Sequence, residues 1–281
     1  MGGVPFEIPN PEKKPLRGEL LEPAGSEPCP VVIVCHGFKG FMDWGFFPEA
    51  AERLTGAGFA SVRFNFSGAG VGPDRLTFTD FEAFAKDTIS RQVADLGCIL
   101  DALHAGRLGG GRLDLQRLAV VGHSRGGAVA ILRAREDGRL GAVVSWAGVS
   151  TLWRYSTREV QEWRDKGAME FLNMRTMQRM RIDSGYLDDL EANRSRFDLI
   201  SAVQALSVPL LLVHGSEDSS VPADEARELH AAAAGRADLC LIHAAGHTFG
   251  AVHPWAGSTP AFDEATRVTI DWLHARFQKT A

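Results

Sequence analysis

Six short runs rich in Val, Ile and Leu recur along this chain without an alternating polar face. They lie at 31–36 (VVIVCH), 60–66 (ASVRFNF), 117–122 (RLAVVG), 142–148 (AVVSWAG), 208–215 (VPLLLVHG) and 238–246 (DLCLIHAAG). Runs of this length and composition are typical of strands that are buried on both faces of a parallel sheet. The sequence therefore predicts an α/β fold in which helices cover a mostly parallel sheet.

Helical patterns lie between these runs. From Thr79 to Leu103 apolar residues return at roughly helical spacing, and Thr79 with Glu82 forms a candidate capping box, so we expect one long crossover helix. The first 28 residues are expected to add an antiparallel hairpin at one edge of the sheet. Alternating strands and helices predict a doubly wound sheet, whose ligands bind beyond the carboxyl ends of the strands.

The segment 151–201 breaks this alternation, since it contains no strand-like run. It is rich in aromatic residues and methionines, namely Trp153, Tyr155, Trp163, Phe171, Tyr186, Met169, Met174, Met177 and Met180. We interpret it as a helical cap inserted between two parts of one core, 1–150 and 202–281. A helix pair that belongs to the main core is the alternative.

Composition excludes several classes of function. The 281 residues carry a net charge of -5 and no basic block, so we expect no nucleic-acid partner. The first residues lack the apolar core of a signal peptide, which favours a cytoplasmic protein without membrane insertion. Four cysteines, Cys29, Cys35, Cys98 and Cys240, lie far apart without a CxxC pair, so we expect reduced thiols and neither a metal nor a cofactor.

The stretch LAVVGHSRGGA (118–128) places a serine between glycines at the end of an apolar run. Gly122, Ser124 and Gly126 form G-x-S-x-G after a predicted strand and before a predicted helix, which is the context of a nucleophilic serine. The nearby helix N-terminus favours developing negative charge. An ordinary glycine turn has the same composition.

A nucleophilic serine needs a base and a carboxylate that orients the base. Asp218 follows one later strand and His247 follows the next, which gives the order Ser, Asp, His expected of this strand–turn–helix motif. The sequence therefore predicts a triad of Ser124, Asp218 and His247. His123 and His214 flank the motifs and are expected to pack or to form hydrogen bonds.

Other residues compete for these two roles. Glu217 has a longer side chain one residue before the predicted acid, and Asp224 resembles an acid in the first turn of a helix. His243 lies within a predicted strand and His253 lies in an HPW turn, so we expect structural roles for both.

Acyl transfer also needs N–H donors for the oxyanion of the tetrahedral intermediate. The main-chain N–H after the nucleophile, that of Arg125, is one candidate. The second is the N–H of Phe38, because His36 and Gly37 end an early predicted strand in HGFKG. An ordinary glycine turn is again the alternative.

Taken in order, the motifs HGFKG, GHSRGG, HGSEDSSVP and AAGHTF resemble the α/β-hydrolase superfamily. More narrowly, the chain resembles the small bacterial serine esterases that include feruloyl and cinnamoyl esterases and relatives of prolyl oligopeptidase and serine aminopeptidase domains. The resemblance extends from about residue 17 to the C-terminal helix. It implies that Ser124 attacks the carbonyl, His247 transfers the proton, Asp218 holds the imidazole, and Phe38 and Arg125 donate to the oxyanion.

We therefore expect a serine hydrolase that cleaves small-molecule carboxylic esters of small to medium acyl or aryl groups through an acyl-enzyme intermediate. The expected substrate pocket contains His36, His123, Trp153, Tyr155, Met174 and Met177. A peptidase or amidase, or a thioesterase, would use the same triad, and a non-catalytic binding module is a further alternative. The sequence leaves a homodimer open.

Overall fold

The computed structural model describes residues 2–173 and 177–277. Its strands are β1 (Val4–Pro9), β2 (Pro15–Leu21), β3 (Cys29–Cys35), β4 (Ala60–Phe64), β5 (Leu113–His123), β6 (Ala142–Trp146), β7 (Ala168–Asn173), β8 (Gln178–Asp183), β9 (Leu210–Gly215) and β10 (Ala237–Ile242). The helices are α1 (Phe47–Gly56), α2 (Phe81–Ala85), α3 (Ile89–His104), α4 (Arg125–Glu136), α5 (Thr157–Lys166), α6 (Gly185–Ala192), α7 (Leu199–Ala205), α8 (Ala223–Ala232) and α9 (Pro260–Phe277). None of these helices has the length and apolar character that a membrane span needs.

Eight strands form one sheet in the order β1-β2-β4-β3-β5-β6-β9-β10. The β1–β2 and β2–β4 pairs are antiparallel, and the remaining pairs are parallel. Every residue of β3, β4, β6 and β9 is buried, as strands covered by helices on both faces must be. The predicted α/β-hydrolase fold is confirmed, and the antiparallel hairpin lies at one edge of the sheet as expected.

The predicted crossover helix is divided in two. Asp80 caps α2 by accepting a hydrogen bond from the Ala83 N–H, and Thr88 caps α3 by accepting one from the Arg91 N–H. The expected capping box at Thr79 is therefore wrong. A second capping residue inside the periodic pattern starts a new helix because its side chain satisfies N–H groups that a continuous helix would bond internally.

The segment between β6 and β9 contains an antiparallel hairpin of β7 and β8 as well as helices. The expectation that it holds no strand is wrong. Residues in the two strands alternate between more and less exposed positions and include many charged side chains, which hides the apolar signal. Around Trp163, with 1% of its surface exposed, the segment has its own aromatic cluster with Tyr155 and Tyr186.

Candidate active site

Ser124 lies on a sharp turn between β5 and α4. Its backbone has φ 56° and ψ -122°, a left-handed conformation that residues with a side chain rarely adopt. A β-carbon on Gly122 would lie 2.2 Å from the Gly126 carbonyl oxygen, and one on Gly126 would lie 2.5 Å from the His36 carbonyl oxygen. The two glycines therefore allow the close packing that holds the turn.

Asp218 and His247 meet beyond the ends of the adjacent parallel strands β9 and β10. The His247 Nδ1 lies 2.8 Å from Asp218 Oδ2. The other carboxylate oxygen, Oδ1, accepts the main-chain N–H groups of Ser220 and Val221, each at 2.9 Å. An imidazole that donates from Nδ1 to a carboxylate keeps Nε2 available as a base.

The Asp218 carboxylate stays ionised although its side chain is fully buried. Burial raises its pKa, but hydrogen bonds from His214 and His247 and from the Val221 N–H outweigh burial and hold the pKa well below the usual range. His214 Nε2 lies 3.3 Å from Asp218 Oδ2 and 2.8 Å from the Val221 carbonyl oxygen. The carboxylate is thus fixed from several directions and carries a negative charge beside His247.

His123 supports the loop that carries His247. Its Nε2 lies 2.9 Å from the His247 carbonyl oxygen, which can only accept, so Nε2 carries the proton and donates. The two rings lie with their centroids 4.7 Å apart. Burial, and to a lesser extent the nearby His247, lowers the pKa of His123 to about 3, so this ring is neutral at physiological pH.

A cavity of about 260 Å³ opens at Ser124 and His247. Its lining residues are Gly37, Phe38, Lys39, Gly40, Trp44, Phe47, His123, Ser124, His247 and Thr248. No hydrogen bond joins Ser124 Oγ to His247 in the described part of the chain. Such contacts are often long before substrate binds and tighten in the reacting complex.

Phe38 and Arg125 lie beside Ser124 and follow two adjacent strand ends, those of β3 and β5. A β-carbon on Gly37 would lie 2.9 Å from the β-carbon of Ser124, so the two loops touch next to Phe38. Within residues 2–173 and 177–277, neither the Phe38 N–H nor the Arg125 N–H donates to a protein group. Both N–H groups therefore lie near Ser124 without a protein acceptor among these residues.

The competing residues lie elsewhere. Glu217 is exposed, and Asp224 pairs with Arg227 on the surface. His243 is exposed, whereas His253 Nδ1 accepts the Gly45 N–H at 3.0 Å. None of these four is the hydrogen-bond partner of Asp218 or His247 among the described residues.

The predicted pocket residues are only partly brought together. His123 lines the cavity at Ser124, but His36 is buried and does not line it. The Nδ1 of His36 lies 2.9 Å from the Gly37 carbonyl oxygen, and its Nε2 lies 3.2 Å from the Phe66 nitrogen. Burial lowers the pKa of His36 to about 4. Its neutral ring therefore joins two loops and is not part of the cavity wall.

The other predicted pocket residues do not line this cavity. Trp153 lines a separate cavity of about 730 Å³ beside Phe197. Tyr155 packs on Trp163, and Met177 is 65% exposed at the end of the β7–β8 hairpin. Met174 lies outside the described residues. The helices and the hairpin between β6 and β9 thus direct Trp153, Tyr155 and Met177 away from the cavity at Ser124.

Sequence reasoning missed the aromatic wall formed by Trp44 and Phe47. Both follow β3 in HGFKGFMDWGFF, a stretch after a predicted strand end that also contains three further phenylalanines and three glycines. Since strand ends form the site in this fold, that clustering was a usable signal. Sequence reasoning expected His214 to pack or to form hydrogen bonds, but it did not identify Asp218, four residues further along the chain, as the partner that its Nε2 approaches to 3.3 Å.

Comparison with known proteins places the chain in a family. The model of the prolyl oligopeptidase family matches residues 54–280. No curated protein matches the sequence.

Solved structures share the fold over the whole chain. Est1E from Butyrivibrio proteoclasticus has a TM-score of 0.70 and 16% identity, with 99% of this chain and 100% of that chain covered. A putative hydrolase from Agrobacterium vitis S4 has a TM-score of 0.73 and 20% identity, covering 99% and 100%. A puromycin-hydrolyzing peptidase from Mycobacterium tuberculosis has a TM-score of 0.66 and 18% identity, covering 98% of this chain but 39% of that one. At these identities the structures demonstrate a common fold, and the match to the family shows that the chain is a serine hydrolase of the α/β-hydrolase fold that belongs to the prolyl oligopeptidase family.

Proposed function

We propose that this chain hydrolyses carboxylic esters of small to medium acyl or aryl groups through an acyl-enzyme on Ser124. The observation that carries the proposal is the 2.8 Å contact of His247 Nδ1 with Asp218 Oδ2, in a cavity that His247 shares with Ser124. A serine, a base and an orienting carboxylate are what acyl transfer requires.

The mechanism follows from these atoms. His247 Nε2 takes the proton of Ser124 Oγ as the oxygen bonds to the ester carbonyl carbon, and Asp218 stabilises the imidazolium that forms. The carbonyl oxygen becomes an oxyanion that accepts the N–H groups of Phe38 and Arg125. His247 then returns the proton to the departing alkoxide, and water repeats the sequence to release the acid.

Two features favour esters over peptides. The cavity walls are aromatic at Phe38, Trp44 and Phe47, and its described lining includes no carboxylate to anchor the free amine of a short peptide. Est1E, a chain matched over its full length, has been solved with ferulic acid bound, whereas the peptidases align over 39% and 42% of their own chains. A peptidase activity remains the second candidate because of the family.

We further propose that residues 151–201 act as a cap. In this segment Phe171 packs edge-on against Phe38, with ring centroids 5.7 Å apart, beside the cavity at Ser124. The segment would thereby bound the space available to the acyl group.

The test compares the wild type with Ser124→Ala on p-nitrophenyl esters from acetate to laurate, on methyl ferulate and on an aminoacyl p-nitroanilide. We expect serine-dependent cleavage of the esters that declines towards laurate, because a cavity of about 260 Å³ cannot hold a long chain. The matched control is Ser150→Ala, since Ser150 follows the neighbouring strand and its hydroxyl is held by Glu228. Cleavage of the anilide alone would establish the peptidase instead.

His247→Ala provides an independent test of the same site. Removing the base leaves the serine hydroxyl unactivated, so kcat should fall by about 10⁴-fold or more with folding intact. Unchanged turnover in this variant would overturn the assignment.

A further inference from the structure

The side chain of Arg125 has no part in the mechanism above, yet only 9% of it is exposed. Charged side chains are rarely buried this far unless they are paired. Its Nη1 lies 3.9 Å from Asp87 Oδ2, so the guanidinium has a counter-ion next to the nucleophile.

Asp87 is itself enclosed. Gln92 Nε2 donates to its Oδ2, and a β-carbon on Gly68 would lie 2.2 Å from its Oδ1, so the loop at Gly68 closes over the carboxylate. Burial raises the pKa of Asp87 to about 6, and the charge of Arg125 opposes that rise. The carboxylate is therefore mostly ionised at neutral pH and pairs with Arg125.

The guanidinium also contacts two rings from different parts of the fold. Its Cζ lies 4.1 Å from the centroid of Phe38 and 5.1 Å from that of Tyr186. Phe38 is held on its other sides by Phe84 and Phe171, each with its centroid 5.7 Å away. A flat guanidinium stacks on an aromatic face more effectively than an ammonium does.

We propose that the Arg125 side chain is a positioning residue that fixes the two oxyanion donors relative to each other. The N–H donors of the proposed function, on which this inference rests, belong to Phe38 and Arg125, and the side chains of the same two residues are in contact. Asp87 holds the guanidinium against the ring. The pair therefore sets the separation of the donors across two loops.

Donor geometry matters most once the oxyanion has formed, so removing this contact should lower kcat and leave KM nearly unchanged. In Arg125→Met the chain keeps its length but loses the flat cation. We expect its kcat on a p-nitrophenyl ester to fall about 10- to 100-fold, with KM changed less than about threefold. Arg125→Lys, which keeps the charge without the plane, should show a similar loss.

A double-mutant cycle with Phe38→Leu measures the coupling. If the two side chains act as one unit, the double variant should lose little more kcat than either single variant. Arg133→Met is the matched control, because Arg133 lies on the same helix, pairs with Asp137 at the far end and does not line the cavity. Its kcat should equal that of the wild type.

The outcomes separate this inference from the proposed function. Serine-dependent turnover in the wild type with unchanged kcat in Arg125→Met, or additive losses in the cycle, would overturn the inference alone. Wild-type kcat in Arg125→Lys would show that charge acts without stacking, and would also overturn it. Absence of serine-dependent turnover in the wild type would overturn both. If Arg125→Met does not fold, the same kcat comparison and double-mutant cycle are carried out with Arg125→Lys and Phe38→Leu.

Discussion

At Gly126 the polypeptide has no room for a β-carbon. The nearest atoms to such a carbon are main-chain oxygens of His36 and Cys35, at 2.5 and 2.7 Å, and a main chain cannot move aside as a flexible side chain can. The position of Ser124 therefore depends on the closeness of α4 to the end of β3.

Gly126→Ala should separate these elements and displace the serine. We expect kcat to fall by about 10²-fold, as a misplacement of about 1 Å can produce, with a loss of about 1–3 kcal/mol in stability from overpacking. Steady-state kinetics and urea unfolding measure both effects. Gly138→Ala is the control, since a β-carbon there meets no atom within 4 Å. An active Gly126→Ala enzyme would contradict the argument.

Sequence reasoning could propose the triad residues because acyl transfer requires particular residue types and this fold places them just after strand ends. Ser124, Asp218 and His247 each follow an apolar run directly, which is why sequence reasoning selected them. The aromatic wall of the cavity was not predicted. Trp44 and Trp153 both follow strand ends, yet Trp44 lines the cavity at Ser124 and Trp153 lines a separate one. Only the tertiary path of each loop decides which one faces the serine.

At the scale of elements, whether a strand could be predicted from the sequence depended on how deeply it is buried. The core strands are buried on both faces, so their sequences are apolar throughout and predict strands. The β7–β8 hairpin is half exposed and charged, so its strands were missed. The break between α2 and α3 was missed because helical periodicity continues across it, while the Thr88 cap is a local feature.

The segment between β6 and β9 is anchored by Trp163. This ring stacks on Tyr186 with centroids 5.8 Å apart, and its Nε1 has no hydrogen-bond partner among the described residues. Trp163→Ala should therefore lower the free energy of unfolding by about 3–5 kcal/mol. Trp163→Phe keeps a ring against Tyr186 and removes the unpaired N–H, so its cost should be below about 1.5 kcal/mol. Urea denaturation measures the free energy of unfolding of both variants. Equal stabilities of the wild type and Trp163→Ala would contradict the role of Trp163 in holding this segment's core together.

At the scale of the whole molecule, two buried histidines make stability depend on pH. The folded-state pKa is about 4 for His36 and about 3 for His123, against about 6.5 in an unfolded chain. Between pH 6.5 and 4 the unfolded state binds protons that the folded state does not, so stability falls as the pH falls. Above pH 6.5 this contribution is fully present.

We expect each histidine to remove up to about 1.4 kcal/mol of unfolding free energy per pH unit in that window. Urea unfolding at pH 7, 6 and 5 measures the slope. His36→Gln should reduce the slope, because it removes a buried ring that takes up a proton in the unfolded state first. A slope that is equal in the wild type and His36→Gln would contradict the assignment of this titration.

The chain leaves the sheet at β6 and returns at β9, and these two strands are hydrogen-bonded neighbours. Ser124 lies before that excursion, and Asp218 and His247 lie after it. A cut within the excursion would divide the proposed nucleophile from its proposed base between two fragments, and on the proposed mechanism neither fragment could act alone. Hydrolysis would then depend on the concentration of the two fragments. The split chain could therefore report fragment association, because activity would return only when β6 of one fragment pairs with β9 of the other.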